Sequence, residues 1–487
     1  MNVSRALHKK YFPSVLKPTR MLSGVIVVAV MTAPYPCPHG KCIYCPGGPE
    51  HNTPQSYISR SPAVMRALNY DYDPYEQVRH RLMQYEAMGH TPSKIELIIM
   101  GGTFPAMPVK YQEWFIAQTL EALNNYPRPR RRRKVSLEEA IKRNEKAKVR
   151  CVGLTIETRP DWSKEKHVDM FLKLAATRVE LGVQSLDDRV LERVRRGHTV
   201  KDSIEATRIL KDAGYKVVYH VMPGLLGSDP DKDYEMFVEL FDNPDFRPDM
   251  LKIYPTLVMP GTVLYTMWKR GEYKPYTDEE LIELIAKIKN IIPPYVRIMR
   301  IQRDVPLSAV AAGLKIGNFR EVVKRYMKEK GMKCRCIRCR EAGRYIIEKG
   351  AIPSERNLKM VRYFYEASEG IEAFISLEDP MLDIIYGFIR VRKPSPRAHR
   401  PEIDERSAIV RELHIYGPQI PLGRHSEIWW QHRGLGKRLL KEAERITVEE
   451  FGASKLFIIS GIGVREYYRK LGYRKYRGSF YMYKRLN

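Results

Sequence analysis

The stretch "APYPCPHGKCIYCPGGPEHNTPQSY" (residues 33–57) contains three of the chain's seven cysteines, in the spacing C-x4-C-x2-C. A disulfide uses two thiols, so the grouping of Cys37, Cys42 and Cys45 indicates a metal centre instead. Thiolates hold iron–sulfur clusters, and three ligands on a cubane cluster leave one iron free for a substrate group. A zinc site completed by His39 is the alternative that this loop leaves open.

The apolar run "GVIVVAVMTA" (residues 24–33) leads directly into the cysteine loop. It is rich in valine and isoleucine and too short to cross a bilayer, so it predicts a buried parallel strand. Amphipathic helices such as "KYQEWFIAQTLEALNN" and "VKDSIEATRILKDAG" alternate with five further predicted strands, "KIELIIMGG", "RCVGLTIET", "RVELGVQS", "KVVYHVMPG" and "MLKIYPTLV". Six strands in strand–helix units predict an α/β fold, a partial parallel (β/α) barrel with its chemistry at the carboxyl ends of the strands.

Changes in pattern along the chain predict four segments. A basic arm (1–20) precedes the barrel (21–304), which carries a basic insertion (127–150). A basic helical linker with a second cysteine group follows (305–366). The last segment (367–487) contains "EAFISLED", "IIYGFIRVRK" and "SAIVRELHIYG", typical of antiparallel strands, and then a helix and a further strand. It predicts a C-terminal α+β domain.

The formal net charge is +27 and the isoelectric point is near 9.6. Such an excess predicts a polyanionic partner, either nucleic acid or an anionic membrane. With no candidate membrane anchor and an odd number of clustered thiols, we predict a cytoplasmic protein that does not bind a membrane. The basic run at 130–134 predicts phosphate contacts, with a solvated surface as the alternative.

Three barrel segments add candidate ligand-binding residues to the cysteine loop. "MGGTFPAMP" places Gly101, Gly102 and Thr103 in a turn after the second strand, where glycine lets the backbone approach a ligand. Glu157 and Gln184 end the next two strands, where they are positioned to bind a ribose or an amino-acid moiety. Together these segments resemble the radical S-adenosylmethionine (SAM) enzymes, although the usual loop of that superfamily is one residue shorter. The resemblance implies a 4Fe–4S cluster and SAM.

The C-terminal segment contains a glycine turn, "QHRGLG" (431–436), that opens a helix. Exposed N–H groups at a helix start suit a pyrophosphate. With the strand "IVRELHIYG" before it and "GVREYYRKLGY" after it, the turn resembles GNAT-type N-acetyltransferases. That family binds acetyl-coenzyme A (acetyl-CoA), and the resemblance implies that Tyr468 faces the thioester sulfur. The alternative is that Tyr467 and Tyr468 are aromatic residues on the surface of a helix. The predicted acetyl-CoA residues are Glu412, Leu413, His414, Ile415, Gln431, Gly434, Leu435, Gly436, Lys437 and Tyr468.

A radical SAM half joined to a GNAT half resembles the family of Elongator catalytic subunits in their archaeal form. The motifs "CIYCPGGP", "MGGTF", "TIETRPD", "GVQSLDD", "RRGHT", "LKIYPTLV", "IVRELHIYG" and "YYRKLGY" carry this resemblance. It implies a tRNA-modifying enzyme that places a carboxymethyl group, drawn from acetyl-CoA by SAM radical chemistry, on carbon 5 of the wobble uridine in the anticodon stem-loop. It also implies an acetyl-CoA role for Lys94, so the predicted catalytic residues are Lys94 and Tyr468.

The second cysteine group, "KCRCIRCR", has the spacing C-x-C-x2-C. Cys334, Cys336 and Cys339 predict a structural zinc site, whose fourth ligand the sequence does not identify because no histidine lies between His220 and His399. Free thiols and a second iron–sulfur cluster are the alternatives.

Two other functions are compatible with parts of the sequence. The GNAT half alone would permit a protein lysine acetyltransferase with a structural cluster domain, but the net charge of +27 disfavours lysine-rich substrates. A non-enzymatic tRNA-binding scaffold would not need both the cysteine loop and the tyrosine pair. A homodimer is compatible with each of these functions.

Overall fold

The computed structural model describes residues 15–128, 134–420, 430–431, 433–476 and 478–487. Most of the predicted basic arm, and residues 130–133 of the predicted phosphate-contacting run, lie outside these ranges. No helix in the described ranges is both long and apolar enough to cross a bilayer.

The first half forms a sheet of seven parallel strands in the order of the sequence. All six predicted strands are present; they are β1 (Ile26–Met31), β2 (Lys94–Met100), β3 (Arg150–Thr158), β4 (Arg178–Gln184), β5 (Lys216–Val221) and β6 (Met250–Ile253). The seventh, β7 (Arg297–Arg300), was not predicted, because the sequence "RIMR" is short and lacks an apolar run. β1 and β7 are the two edges of the described sheet, so the barrel is partial, as expected.

Ten helices in the described part of this half connect and cover the strands. α7 shows why they begin where they do: Thr199 caps its N-terminus by accepting from the N–H of Asp202, whose carboxylate accepts from Thr199 N–H in return. The helices are α1 (Pro62–Leu68), α2 (Pro74–Ala87), α3 (Val109–Asn125), α4 (Leu137–Asn144), α5 (Glu165–Lys173), α6 (Asp188–Arg193), α7 (Val200–Asp212), α8 (Pro230–Asp242), α9 (Val263–Lys269) and α10 (Asp278–Ile291).

The second half is a mixed sheet preceded by three helices, α11 (Phe319–Glu329), α12 (Ile337–Arg340) and α13 (Ala342–Lys349). Its first strand starts at Lys359 and not at 367, because β8 lies inside the segment that we interpreted as a linker. β8 exposes residues on both faces and so lacks the alternation that predicts a strand. The elements are β8 (Lys359–Ala367), β9 (Gly370–Asp379), β10 (Ile384–Lys393), β11 (Ser407–Ile415), α14 (Leu435–Glu449), β12 (Lys455–Ile458), α15 (Arg465–Arg469), β13 (Arg474–Lys475) and β14 (Met482–Arg485).

The strand order of this sheet is β13-β14-β12-β11-β10-β9-β8. β11 and β12 are parallel, and the other neighbouring pairs are antiparallel. The expected fold class is therefore confirmed: a partial parallel barrel followed by an α+β domain of GNAT type.

Buried ion pairs join the two sheets. Arg411 of β11 donates to both carboxylate oxygens of Asp249, just before β6, at 2.7 Å. Arg392 of β10 pairs with Asp212 at the end of α7, with donor–acceptor distances of 2.7 and 2.9 Å. Glu372 of β9 accepts from both arginines. All five side chains are buried, so each charge depends on its partners for compensation.

We expect Asp249→Asn to lower the free energy of unfolding by about 3–5 kcal/mol, because Arg411 and Arg390 would remain buried with one counter-charge fewer. Burial alone would raise the pKa of Asp249, but Arg411 and Arg390 outweigh burial and hold that pKa well below its ordinary range. The ion pair therefore contributes fully above about pH 4, near the carboxyl pKa of an unfolded chain, and its contribution is lost as the pH falls further.

Urea unfolding between pH 7 and pH 3 measures this effect. The stability gap between wild type and Asp249→Asn should be widest at neutral pH and should narrow toward pH 3. The exposed Glu405 gives a control, since Glu405→Gln should leave stability unchanged at every pH. A difference in stability between wild type and Asp249→Asn that does not depend on pH would contradict the role given to the Asp249 carboxylate.

Candidate active site

The cysteine loop follows β1 and lies at the carboxyl end of the sheet. Cys42 and Cys45 are buried and Cys37 is half-buried. Thr103 Oγ1 donates to Cys37 Sγ at 3.5 Å, and a guanidinium nitrogen of Arg196 donates to Cys42 Sγ at 3.8 Å. Burial raises the pKa of Cys37, and the hydrogen bond from Thr103 acts in the opposite direction.

The spacing of the three sulfurs distinguishes between the two metal centres that the loop left open. The Sγ atoms of Cys37, Cys42 and Cys45 do not all lie within 4.8 Å of one another. A single zinc ion holds its sulfurs at about 2.3 Å, so its ligand atoms lie closer together than this. His39 Nε2 approaches one sulfur, that of Cys42, at 3.2 Å. The donor set therefore fits a multi-iron cluster better than zinc.

The predicted glycine turn packs against this loop. Gly101 and Gly102 have φ angles of +130° and +51°. A Cβ atom on Gly101 would lie 2.2 Å from Thr32 Oγ1, and one on Gly102 would lie 3.7 Å from Cys37 Sγ. The positive φ angles disfavour any side chain at these two positions, and Thr32 leaves no room for one at Gly101. The backbone beside the cysteine loop therefore stays accessible to a ligand.

Glu157 and Gln184 line the same cavity as the cysteines. Glu157 accepts from Tyr57 Oη at 2.8 Å and from Lys252 Nζ at 3.1 Å. Gln184 has a positive φ of 70°, and its buried Oε1 atom has no hydrogen-bond partner among the described residues. An acceptor without a partner at the end of a barrel strand fits a ligand that brings a hydroxyl or amine donor.

A buried ion-pair network extends from Glu157 into the barrel. Lys252 also pairs with Glu180, which in turn lies 2.8 Å from His220 Nε2. The ligand atoms of Glu157, Glu180 and His220 are close enough to hold a metal ion, but the Lys252 ammonium already lies against both carboxylates. We interpret this network as a rigid set of ion pairs next to the ligand site and not as a metal centre.

The glycine turn of the second half starts α14. Gly434 adopts a φ of +88°, and no atom of the described residues lies within 4 Å of the position that a Cβ would take, so these residues leave space over the turn. The amide of Gln431 donates to Ile415 O at 3.0 Å and its Oε1 accepts from Lys94 Nζ at 2.9 Å. Lys94 is the first residue of β2, and burial lowers its pKa to about 8. One amide thus connects the barrel, the turn and β11.

β11 leaves part of its edge open beside the turn. β12 pairs with Ser407, Ala408, Ile409 and Val410 and, within the described part of the chain, with no later residue of β11. The four predicted residues that follow line the cavity; they are Glu412, Leu413, His414 and Ile415.

Two of these β11 side chains have structural partners. Glu412 accepts from Arg390 at 3.1 Å, and His414 Nε2 donates to Ser23 O at 2.7 Å. This part of β11 therefore offers main-chain groups to a ligand, while its polar side chains anchor the two halves.

Both tyrosines of α15 line the cavity. Tyr468 is buried, and burial raises its pKa; Tyr467 is 37% exposed, and burial raises its pKa to about 12. Both hydroxyls are therefore neutral donors at neutral pH. A Cβ on Gly436 would lie 3.0 Å from Tyr467 Oη, so the exposed tyrosine has its hydroxyl next to the turn.

The two groups of residues share one cavity of about 2110 Å³. Alternate residues of β2 line it from its first residue, Lys94, through Glu96 and Ile98 to Met100 at its carboxyl end. The cavity therefore runs through the barrel, with the cysteine loop at one end and the glycine turn of α14 at the other.

Comparisons with known proteins agree with this arrangement. Residues 34–241 match the model of the radical SAM superfamily, and residues 248–329 match that of the radical SAM C-terminal domain. A protein of Methanocaldococcus infernus named tRNA uridine(34) acetyltransferase is 55% identical, over 94% of this chain and 85% of that protein. Elongator complex protein 3 of Homo sapiens is 44% identical, over 94% of this chain and 84% of its own.

The chain belongs to the Elongator complex protein 3 family. The solved structure of the archaeal Methanocaldococcus infernus Elp3 with an N-terminus deletion has a TM-score of 0.84 to this chain at 50% sequence identity, and the match covers 96% of this chain and 100% of that one. The family that the motifs predicted is thus confirmed, including its radical SAM domain.

For this member of the Elongator complex protein 3 family, the structure brings together nearly all the residues that the motifs predicted. Those that line the common cavity are Cys37, Cys42, Cys45, Lys94, Gly102, Thr103, Glu157, Gln184, Glu412, Leu413, His414, Ile415, Gln431, Gly434, Leu435, Gly436, Lys437 and Tyr468. Gly101 belongs to the same turn as Gly102 but does not line the cavity. Sequence reasoning missed Tyr57, Arg196 and Lys252, although a lysine inside the buried strand "MLKI" was a signal that could have found the last of these.

The three cysteines of the second group do not line this cavity. The Sγ atoms of Cys334, Cys336 and Cys339 all lie within 4.8 Å of one another, which fits the spacing of ligands around one zinc ion. No fourth His, Cys, Asp or Glu joins them within the described residues. Lys289 Nζ donates to Cys339 Sγ at 3.6 Å. The structural zinc stays a prediction, with its fourth ligand open.

Proposed function

We propose that this chain modifies tRNA by attaching a carboxymethyl group to carbon 5 of the wobble uridine, with SAM and acetyl-CoA as co-substrates. The observation that carries the proposal is the single cavity lined by both the cysteine loop and the turn at 434–436. Two ligand sites in one cavity can act on the same base. The relatives' names, tRNA uridine(34) acetyltransferase and Elongator complex protein 3, support it.

At the cysteine end, Cys37, Cys42 and Cys45 would hold a 4Fe–4S cluster. When bound, the cluster and SAM supply a radical able to take a hydrogen atom from the methyl group of acetyl-CoA. Gln184 offers a buried acceptor for a hydroxyl or amine of the bound SAM. Tyr57 and Lys252 hold the Glu157 carboxylate in one orientation, so little reorganisation is needed when a ligand arrives.

At the other end, the N–H groups at the start of α14 suit the diphosphate of acetyl-CoA, and the open edge of β11 suits its pantetheine arm. Lys94 acts on Gln431 and so fixes the position of the turn. Tyr467 and Tyr468 bring neutral hydroxyl donors to the same region, where a thioester carbonyl or departing thiolate needs a hydrogen bond.

The cavity wall supports RNA as the acceptor. Strands β2, β3, β4, β5 and β7 all begin with a basic residue that lines the cavity, namely Lys94, Arg150, Arg178, Lys216 and Arg297. Together with the net charge of +27, such a wall favours a polyanion. RNA is recognised through backbone phosphates and through unpaired bases that leave the helical stack, which suits entry of a wobble base into a deep cavity.

The proposal is tested with anaerobically reconstituted protein, SAM, a reductant, tRNA and acetyl-CoA labelled with ¹³C at the methyl carbon. We expect 5-carboxymethyluridine at the wobble position, and mass spectrometry of the nucleosides should show that it carries the label. Unmodified uridine, or an unlabelled product, would contradict the proposal.

A lysine-rich peptide in a parallel reaction tests the alternative of a protein lysine acetyltransferase. We expect no acetylation of that peptide, since the basic residues along the cavity repel a cationic substrate. Efficient acetylation of the peptide together with unmodified tRNA would favour the alternative.

A further inference from the structure

Four arginines from four different elements lie close together on one wall of the cavity, and only one of them, Arg297, has a part in the proposed function. Arg297 begins β7, and Arg320, Arg338 and Arg344 lie on α11, α12 and α13. All four line the cavity. We refer to these four residues as the arginine cluster. Arg338 stands between Cys336 and Cys339, in the motif that the sequence had marked only for its cysteines.

The arginine cluster contains more positive charge than its carboxylate partners neutralise. Glu341 accepts from Arg297 at 2.9 Å and lies 3.5 Å from Arg344 Nε. Arg320 donates to a backbone carbonyl, that of Met299, at 3.3 Å. One carboxylate thus serves two of the four guanidinium groups.

Arg338 is the least satisfied member. Its Nε atom is buried and has no hydrogen-bond partner among the described residues. Its charged neighbours are Arg297, Arg320, Arg344 and Glu341, so repulsion from three cations acts against attraction to one anion. An added anion beside this partly buried guanidinium would offset the repulsion and supply a hydrogen-bond acceptor for Nε.

The other acidic side chains at this wall do not change the balance. Glu348 pairs with Lys324 at 2.7 Å on the exposed side of α11 and α13. Glu321 also lines the cavity but is exposed, and within the described residues no ion pair joins it to the arginine cluster. The wall keeps an excess of cations facing the cavity.

We propose that the arginine cluster binds a backbone phosphate of the RNA substrate, next to the nucleotide whose base enters the barrel. Guanidinium groups present planar, paired N–H donors that match phosphate oxygens. The proposal rests on the proposed function and specifies where the RNA backbone is held. We assign the diphosphate of acetyl-CoA to a different element, the start of α14, which leaves the cluster free for RNA.

The chain offers a matched pair of variants for the test. Arg338→Gln removes one charge from the cluster, and Arg335→Gln removes one charge from an exposed position in the same cysteine motif that does not line the cavity. Binding of an anticodon stem-loop RNA is measured by fluorescence anisotropy over a series of salt concentrations. Thermal unfolding of both variants verifies that they are folded.

We expect Arg338→Gln to weaken RNA binding about tenfold and to reduce the slope of log affinity against log salt by about one. Arg335→Gln should change both quantities little. Arg338→Lys keeps the charge and should keep the salt slope while losing part of the affinity, because an ammonium lacks the paired donors. Equal effects of Arg338→Gln and Arg335→Gln would overturn the proposal.

Neutral methylphosphonate linkages placed one at a time along the anticodon loop identify the phosphate. At one linkage near the wobble nucleotide, wild type should lose about tenfold in affinity, and Arg338→Gln should show no additional loss. If acetyl-CoA affinity, measured by calorimetry, falls in Arg338→Gln while RNA affinity is unchanged, the cluster holds a coenzyme phosphate and the proposal is wrong. If the wild-type protein does not bind the RNA, both the proposed function and the proposal for the arginine cluster are wrong.

Discussion

Replacing Cys37, Cys42 and Cys45 together with alanine should abolish iron binding and SAM cleavage. The wild-type chain, reconstituted without oxygen, should take up about four iron atoms at this loop, because three thiolates can hold a cubane cluster and leave one iron open. Iron analysis, the visible absorption of the cluster and the release of 5′-deoxyadenosine measure the loss.

Two controls separate this loss from unfolding. Cys151 is buried in the core of the barrel, so Cys151→Ala removes a thiol without touching the loop and should retain full iron content. The triple variant should still bind acetyl-CoA, because the start of α14 lies at the other end of the cavity. A triple variant that carried a complete cluster would show that other residues hold it.

The fold could be predicted from the sequence wherever a pattern is local. β1 is a continuous apolar run, and the cysteine loop and the glycine turns are short motifs whose function depends on neighbouring residues. β7 and β8 were not predicted, because neither strand has such a local pattern. "RIMR" has basic ends, and β8 is an edge strand with exposed residues on both faces, so neither shows the hydrophobic pattern of a strand.

The candidate site was predictable only in part, because much of it is assembled from distant elements. Lys252 reaches Glu157 and Glu180 from another strand, and the arginine cluster combines β7 with α11, α12 and α13. No sequence spacing encodes such contacts. The rule that ligands bind at the carboxyl ends of barrel strands predicted the cysteine end. It did not predict that the basic amino ends of the strands would line the same cavity.

Tyr468→Phe should retain RNA affinity and iron content but lower acetyl-CoA turnover by about 10²- to 10³-fold. The phenol is a neutral donor at neutral pH, since burial raises its pKa, and phenylalanine keeps the ring while removing the hydrogen bond to the thioester. Acetyl-CoA hydrolysis and labelled-uridine formation measure the loss. Thermal stability should change little, because the ring packs in the same core beside Leu439 and Tyr473.

The neighbouring Tyr467 supplies the matched comparison for this prediction. Its hydroxyl lies next to Gly436, whereas the assignment to Tyr468 comes from the family resemblance. A hydroxyl beside the turn should contribute to coenzyme affinity, so Tyr467→Phe should raise KM for acetyl-CoA and leave kcat close to wild type. Tyr468→Phe should instead lower kcat. If the two variants showed the reverse, Tyr467 would be the residue that contacts the thioester, and the buried Tyr468 would serve only to pack α15 against α14.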